Sequence, residues 1–342
     1  MLALVLLFLA VSLLLYVLLA GADFGAGILE IFLGQRRRDD QRALISHAMA
    51  PVWEANHVWL ILAVVILFMA FPTVYTTLSI YLYIPLVALL MGIVARGTAF
   101  TFRHYDTLTT EWHGVYSRVF QVSSLWTSMV LGALAGALVL GRIELDSANT
   151  YTTYVAPWLN LFCLAMGVFT SALFALLAAV FLVGEAEDDE LRALFQHKAR
   201  VAALVLVAAG AAVFGTAQLN GLPLLRSFFG TPASVGAFVL ATALLPPFWR
   251  ALSHADGGRT RARILGASIV TLVMLGWFAV QYPVALRLAH GAITFPEAAA
   301  PDATLRALLG ALFVGSALIF PGLGYLFWVF KRGTFERERH EF

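Results

Sequence analysis

Charge is scarce in this chain. Of its 342 residues, 12% are Asp, Glu, Lys or Arg, while 61% are hydrophobic. A soluble domain usually carries about twice that charge. No soluble fold of this length has an interior able to hold so much apolar surface, whereas lipid as solvent removes the difficulty. Cysteine is scarcer still. The one cysteine, Cys163, sits in an apolar run with no partner for an internal disulfide and no metal-ligand spacing around it, so it reads as a small core residue. There is no Walker sequence, no G-x-G-x-x-G and no H-E-x-x-H, which excludes an ATP-driven machine built from this chain alone. Basic residues come in small clusters between apolar runs, so there is no continuous basic face for nucleic acid. No extramembrane domain interrupts the chain, and no internal repeat of the kind that marks many transporters is visible. The N-terminus lacks the basic region of a signal peptide, and the first apolar run is expected to stay as a spanning helix.

What the chain does have is long charge-free windows: 1–22, 55–95, 119–141, 147–184, 201–225, 227–249, 264–286 and 307–330. A helix that crosses the hydrocarbon needs about 20 apolar residues. The window 55–95 is too long for one helix, and Phe71-Pro72-Thr73 divides it into a hairpin of two. The window 147–184 opens on polar residues, and Pro157 suits the first turn of its helix. These windows predict a single all-α polytopic membrane domain over 1–342, with nine helices at approximately 2–32, 52–70, 77–100, 118–140, 157–183, 200–219, 232–250, 263–284 and 304–330. Alternate connections test the count. The segments 34–50, 96–118, 185–200, 250–263 and 331–342 hold 18 of the 22 Lys and Arg residues, and the opposite segments hold only Arg142, Arg226, Arg287 and Arg306. By the positive-inside rule the N-terminus is periplasmic and the C-terminus cytoplasmic.

Ionisable residues inside spans are functional candidates by default. Asp23 and Glu30 lie late in helix 1, Glu54 and His57 early in helix 2, and Arg96 at the end of helix 3. With about 1.5 Å of rise per residue, this topology brings Asp23, Glu54, His57 and Arg96 to one side of the membrane. In Pro51-Val52-Trp53-Glu54-Ala55-Asn56-His57-Val58-Trp59, the residues Trp53, Asn56 and His57 share a helix face, and Glu54 flanks it one turn from His57. A carboxylate there is placed to pass protons inward from the cytoplasm. Equally, Glu54 pairs with Arg96 or stabilises the helix N-terminus. Trp53 and Trp59 read as interfacial or packing aromatics. His57 has no second axial residue at its depth, which argues against heme ligation. Asp23, between Gly21 and Gly25, suits either a backbone contact or a proton path, and the glycines permit close helix approach. The acidic run Glu185-Ala186-Glu187-Asp188-Asp189-Glu190 reads as a solvated loop opening a surface helix. No residue is assigned to a metal.

Three stretches resemble one family. Leu19-Ala20-Gly21-Ala22-Asp23-Phe24-Gly25-Ala26-Gly27 is similar to the first-helix motif of subunit II of cytochrome bd-type quinol oxidases, including the cyanide-insensitive branch. Pro51 through Glu54, Asn56 and Trp59 resembles its second-helix motif, and Arg96-Gly97-Thr98-Ala99-Phe100-Thr101-Phe102-Arg103 its third-helix end. The resemblance implies two four-helix bundles plus one extra helix. It implies a heme-free, non-catalytic subunit of a quinol:oxygen oxidoreductase in the bacterial cytoplasmic membrane. Hemes b and d are then expected in a partner subunit I, with a small single-helix accessory subunit, lipid and a structural quinone as further partners. It also implies a proton path that begins at Glu54, with Asp23, Asn56 and His57 nearby and Trp53, Gly21, Gly25, Arg96 and Arg103 as motif residues. The family often has acidic residues where this chain has Ala20 and Thr101, so either the proton path is expected to be wired differently or Arg103 to lack its usual neighbour. The alternative from a different class is a secondary transporter that uses Asp23 and Glu54 as coupling carboxylates. It would show polar or broken helices near the midplane in both halves.

Overall fold

The computed structural model of the chain describes residues 1–50, 53–105, 112–145, 149–253 and 258–340; the side chains at 54, 104, 105, 113, 258, 259, 323 and 326–340 lie outside that description. Among the described residues, eight helices are long and apolar enough to cross a membrane, or nine when one pair bent by 115° is counted as a span.

The first span, α1 (Leu2–Ile31), passes through a π-helical turn at Tyr16–Ala20. A helix the charge pattern did not show, α2 (Arg38–Met49), follows it. The second span is divided into α3 (Trp53–Asn56) and α4 (Val58–Ala70), with His57 at the break. From Trp53 to Ala70 this covers about 27 Å at 1.5 Å per residue, close to the hydrocarbon thickness. The chain then bends by 115° into α5 (Pro72–Tyr81). Pro72 opens that helix, where its missing N–H costs nothing, and the third span, α6 (Tyr83–Tyr105), begins after Leu82. The break expected after Phe71 is therefore real, but a short cross-helix fills it.

The remaining elements are α7 (His113–Leu140), α8 (Thr150–Tyr154), α9 (Leu161–Glu185), α10 (Asp189–Leu219), α11 (Leu224–Gly230), α12 (Pro232–Ser253) and α13 (Gly258–Gln281). After them come β1 (Val284–Arg287), β2 (Ala292–Thr294), α14 (Phe295–Ala298) and α15 (Asp302–His340). The antiparallel strands pair Val284 with Thr294 and Arg287 with Ala292. Nothing in the apolar windows signalled this hairpin, because it sits just past a span whose apolar run continues into it.

Two boundaries move for identifiable reasons. Helix α9 starts at Leu161 rather than Pro157, because Asn160 is its N-cap and its side chain accepts from the Cys163 N–H at 3.0 Å. The acidic run does not open a surface helix. Glu185 closes α9, and Asp188 caps α10 by accepting from the Glu190 N–H at 2.8 Å. Acidic residues in a first turn also favour the helix dipole, and α10 continues from there without interruption as a span.

The spans pack as two groups of four, α1, α4, α6 and α7 in one and α9, α10, α12 and α13 in the other, with α15 as a ninth helix against α4 and α1. Helix α9 joins the groups by packing on α1, α7, α10 and α13. It is apolar on every side and is buried continuously from Ser171 to Val180. A helix hydrophobic all round belongs at such a centre. Its approach to α1 depends on Gly25, where an added Cβ would overlap the Phe174 carbonyl, and on Gly21, which faces the Phe174 ring.

Candidate functional site

The polar residues of the first group of helices assemble into two rungs between α1 and α6. In the inner rung Asp23 and Arg96 form an ion pair, both fully buried, with Arg96 Nη2 donating to Asp23 Oδ1. The same nitrogen lies 3.5 Å from the Asp23 carbonyl oxygen. The guanidinium carbon stands 5.1 Å from the centre of the Phe120 ring, 5.4 Å from Phe24 and 5.8 Å from Phe100. Aromatic faces are the apolar surroundings an arginine tolerates best. Arg96 therefore pairs with Asp23 among the described residues; the expected contact with Glu54 falls on a side chain outside them. The Glu54 backbone belongs to α3, and its side chain lies outside the described residues, as do Pro51 and Val52.

The outer rung repeats this pattern seven residues later on both helices. Arg103 Nη1 donates to both oxygens of Glu30, at 3.0 and 2.8 Å, and Arg103 Nη2 donates to Ser46 Oγ at 2.9 Å. Gln121 Nε2 donates to Glu30 Oε1 at 3.3 Å. Arg42 Nε lies 3.3 Å from the same oxygen, as an ion pair without hydrogen-bond alignment. Glu30 is fully buried, so this one carboxylate ties α1 to α2, α6 and α7. Arg103 lies 4.6 Å from the centre of Phe120 and 5.8 Å from that of Phe100. The two rungs thus share the same pair of rings, about 10 Å apart along α1 by helical rise. At the level of sequence, only the acidic neighbour that Thr101 replaces was considered as a partner for Arg103. Arg103 has an acidic partner in Glu30, two turns along α1 from Asp23. The missed signal was arithmetical, since Asp23 and Glu30 have the same spacing as Arg96 and Arg103.

His57 occupies the break between α3 and α4. Its ring stands edge-on to Phe24 at 5.8 Å and tilted to Tyr16 at 6.2 Å. Asn56 is buried, and Trp53 packs on Phe100 at 5.7 Å. Trp59 is buried too, in contact with Phe320, which settles it as a packing aromatic. A groove of about 430 Å³ opens here, lined by Trp53 and His57 on one side and by α6 from Ile93 to Phe102 on the other. Gly97 makes room for it, with the Trp53 ring 3.1 Å from where a Cβ would stand. The structure pairs Asp23 with Arg96 and sets His57 against Phe24 and Trp53 against Phe100, the rings that also face Arg96. Gly21 and Gly25 lie on the face of α1 turned to α9, where they set helix approach. Tyr16, Ser46, Arg42 and Gln121 join a site that sequence reasoning had drawn without them, and Glu30, named there only as a charge late in helix 1, joins it through Arg103. Among the described residues no cluster of three His, Cys, Asp or Glu side chains is placed to hold a metal ion.

Comparison with known proteins places this geometry. The sequence profile of the family described as cytochrome bd terminal oxidase subunit II matches residues 1–330. The chain is 34% identical over 151 residues to cytochrome bd ubiquinol oxidase subunit 2 of Bacillus subtilis, covering 44% of this chain and 43% of that protein. It is 30% identical over 188 residues to cytochrome bd-I ubiquinol oxidase subunit 2 of Escherichia coli, covering 54% and 48%. The chain thus spans about half the length of the curated relatives it matches. Among solved structures, the bd oxidase from Geobacillus thermodenitrificans superposes with a TM-score of 0.77 over 96% of this chain and 98% of that one, at 18% identity. That likeness establishes the fold.

Proposed function

The chain belongs to the cytochrome bd terminal oxidase subunit II family, and from that premise we propose that it is the heme-free second subunit of a bacterial quinol oxidase. In this reading a partner subunit I carries hemes b and d and performs the redox chemistry. Two quinols give up four electrons and four protons, and one dioxygen takes up four electrons and four protons to become two waters. The present chain, a multi-pass protein of the cytoplasmic membrane, supports that subunit and supplies the cytoplasmic end of the path by which protons reach the oxygen site. No residue of this chain takes part in the electron transfer.

The observation that carries the proposal is the buried Asp23–Arg96 pair beside the broken start of the second span, where α3 gives way to α4. A neutral, fully desolvated ion pair is a poor stabiliser compared with apolar packing, and ionisable residues kept within a span mark ion paths or partner sites. Glu54 lies one turn before His57 in sequence, on α3, and in this reading a proton taken up there passes on by way of Asn56, His57 and Asp23. The groove suits a quinone ring held as a structural ligand, with Trp53 and Phe102 as flat apolar walls and Thr98, Thr101 and His57 as polar groups. The transporter reading gains no support, because among the described residues the ion pairs with a fully buried carboxylate lie between α1 and its neighbours in one half of the chain.

The test is Glu54→Gln in the purified native complex. Quinol-driven oxygen consumption is expected to slow while the heme spectrum and subunit content stay intact. Normal turnover in that variant removes the proton-uptake role, and heme absorbance carried by this chain in isolation removes the heme-free role.

A further inference from the structure

Five buried polar atoms of the site have no hydrogen-bond partner among the described residues: Tyr16 Oη, Asp23 Oδ2, His57 Nδ1, Arg96 Nε and Arg96 Nη1. Tyr16, Asp23 and Arg96 are all at least nine-tenths buried. A buried polar atom left unpaired is costly, so five in one neighbourhood point to a ligand they share. The backbone marks the same place. The π-helical turn of α1 begins at Tyr16, α3 ends just before His57, and the two irregularities meet where the Tyr16 and His57 rings touch. Helices within a membrane lose regularity where protein or water satisfies the released groups, and π turns concentrate at functional sites.

The chemistry of the ligand follows from the donors and acceptors. Asp23 and Arg96 cancel in charge, so the ligand is neutral. Arg96 offers only donors, Asp23 Oδ2 offers only an acceptor, and the Tyr16 hydroxyl does both. The ligand must therefore donate and accept, as water does. A quinone carbonyl only accepts and would leave Asp23 Oδ2 unpaired. Tyr16 and Asp23 stand seven residues apart, about 10 Å along the helix axis. About two or three waters, each making roughly three hydrogen bonds, span that distance and account for all five atoms.

We propose that Tyr16, Asp23, His57 and Arg96 bind a row of ordered waters that runs along α1 from the ion pair to the Tyr16 hydroxyl, with His57 standing between the row and the groove. That the row binds water is independent of the proposed function. That it conducts protons rests on that function.

Cryo-electron microscopy of the intact native complex, at a resolution that shows waters, tests the binding without any substitution. The expected result is discrete water density within about 3 Å of Asp23 Oδ2 and Arg96 Nε. Direct side-chain hydrogen bonds among the four residues, or continuous density of an organic ligand among them, would overturn the proposal. Tyr16→Phe keeps the ring and removes one oxygen. It is expected to lose the water farthest from the ion pair, to slow quinol-driven oxygen uptake severalfold and to raise the solvent isotope effect. Loss of that water with unchanged turnover would sink the conducting role and leave the binding site standing. A Glu54→Gln complex of normal activity that retains the water row would show instead that the uptake point was misassigned.

Discussion

Glu30 accepts two hydrogen bonds from one nitrogen of Arg103, at 3.0 and 2.8 Å, in a place that solvent does not reach. Arg42 approaches the same carboxylate, and Arg103 reaches on to Ser46, so both contacts to α2 pass through this pair. Removing the carboxylate leaves two guanidiniums without a counter-charge. Glu30→Gln is therefore expected to destabilise the fold by about 3–5 kcal/mol, the usual cost of orphaning one member of a buried pair. Thermal unfolding of the detergent-solubilised complex reads this as a lowered transition. An unshifted transition would mean that Arg103 finds water or another acceptor.

The inner pair is more demanding, because Asp23 and Arg96 are both fully buried. Asp23→Asn should cost about as much as Glu30→Gln or more, and should reduce the amount of assembled complex. The double substitution Asp23→Asn with Arg96→Gln removes both charges and should recover part of the loss, since an uncharged buried pair avoids the desolvation cost. A double-mutant cycle on complex yield and thermal stability measures the coupling. Additive losses would show that the two side chains do not depend on each other.

Much of this architecture was legible in the sequence, and the rest failed for particular reasons. Charge-free windows placed the long spans because a charge in hydrocarbon is costly whatever surrounds it. Asp23 and Arg96 were brought to one depth by counting residues, yet depth alone did not choose between Asp23 and Glu54 as the partner of Arg96. Glu30 was visible as a charge within helix 1, but its partner Arg103 had been read against position 101. The α2 helix was hidden because its polar sequence reads as a loop. The π turn at Tyr16–Ala20 was hidden because its residues, Tyr-Val-Leu-Leu-Ala, look like any apolar helix. Tyr16 gained meaning only when its hydroxyl was found buried without a partner.

Not every ion pair in the chain should matter. Arg36 donates to Glu190 at 2.6 Å, but the side chains are 72% and 43% exposed. In water the attraction of such a pair is offset by the freedom lost in holding two long side chains. Glu190→Gln is therefore expected to change stability by about 0.5 kcal/mol or less, and added salt should shrink the difference further. A large loss in thermal stability would show that the pair is covered in the assembled complex.

The contact between α1 and α9 allows a test that is free of charge. At Gly25 an added methyl group would run into the Phe174 carbonyl and crowd Ala178, both on the buried face of α9. Neither neighbour can move aside, since one is helix backbone and the other is fixed to it. Gly25→Ala should therefore push the helices apart at the level of the Asp23–Arg96 pair. Overpacking of a tight interior contact costs about 1–3 kcal/mol, opposing the gain of a few tenths to about 1 kcal/mol that alanine brings to a helix interior. Gly34→Ala is the control, because an added methyl there meets nothing within 4 Å. Thermal unfolding of the two variant complexes should show a lowered transition for the first and little change for the second. Equal behaviour would mean that α1 and α9 separate freely, and that the close approach at Gly25 contributes nothing to holding the site.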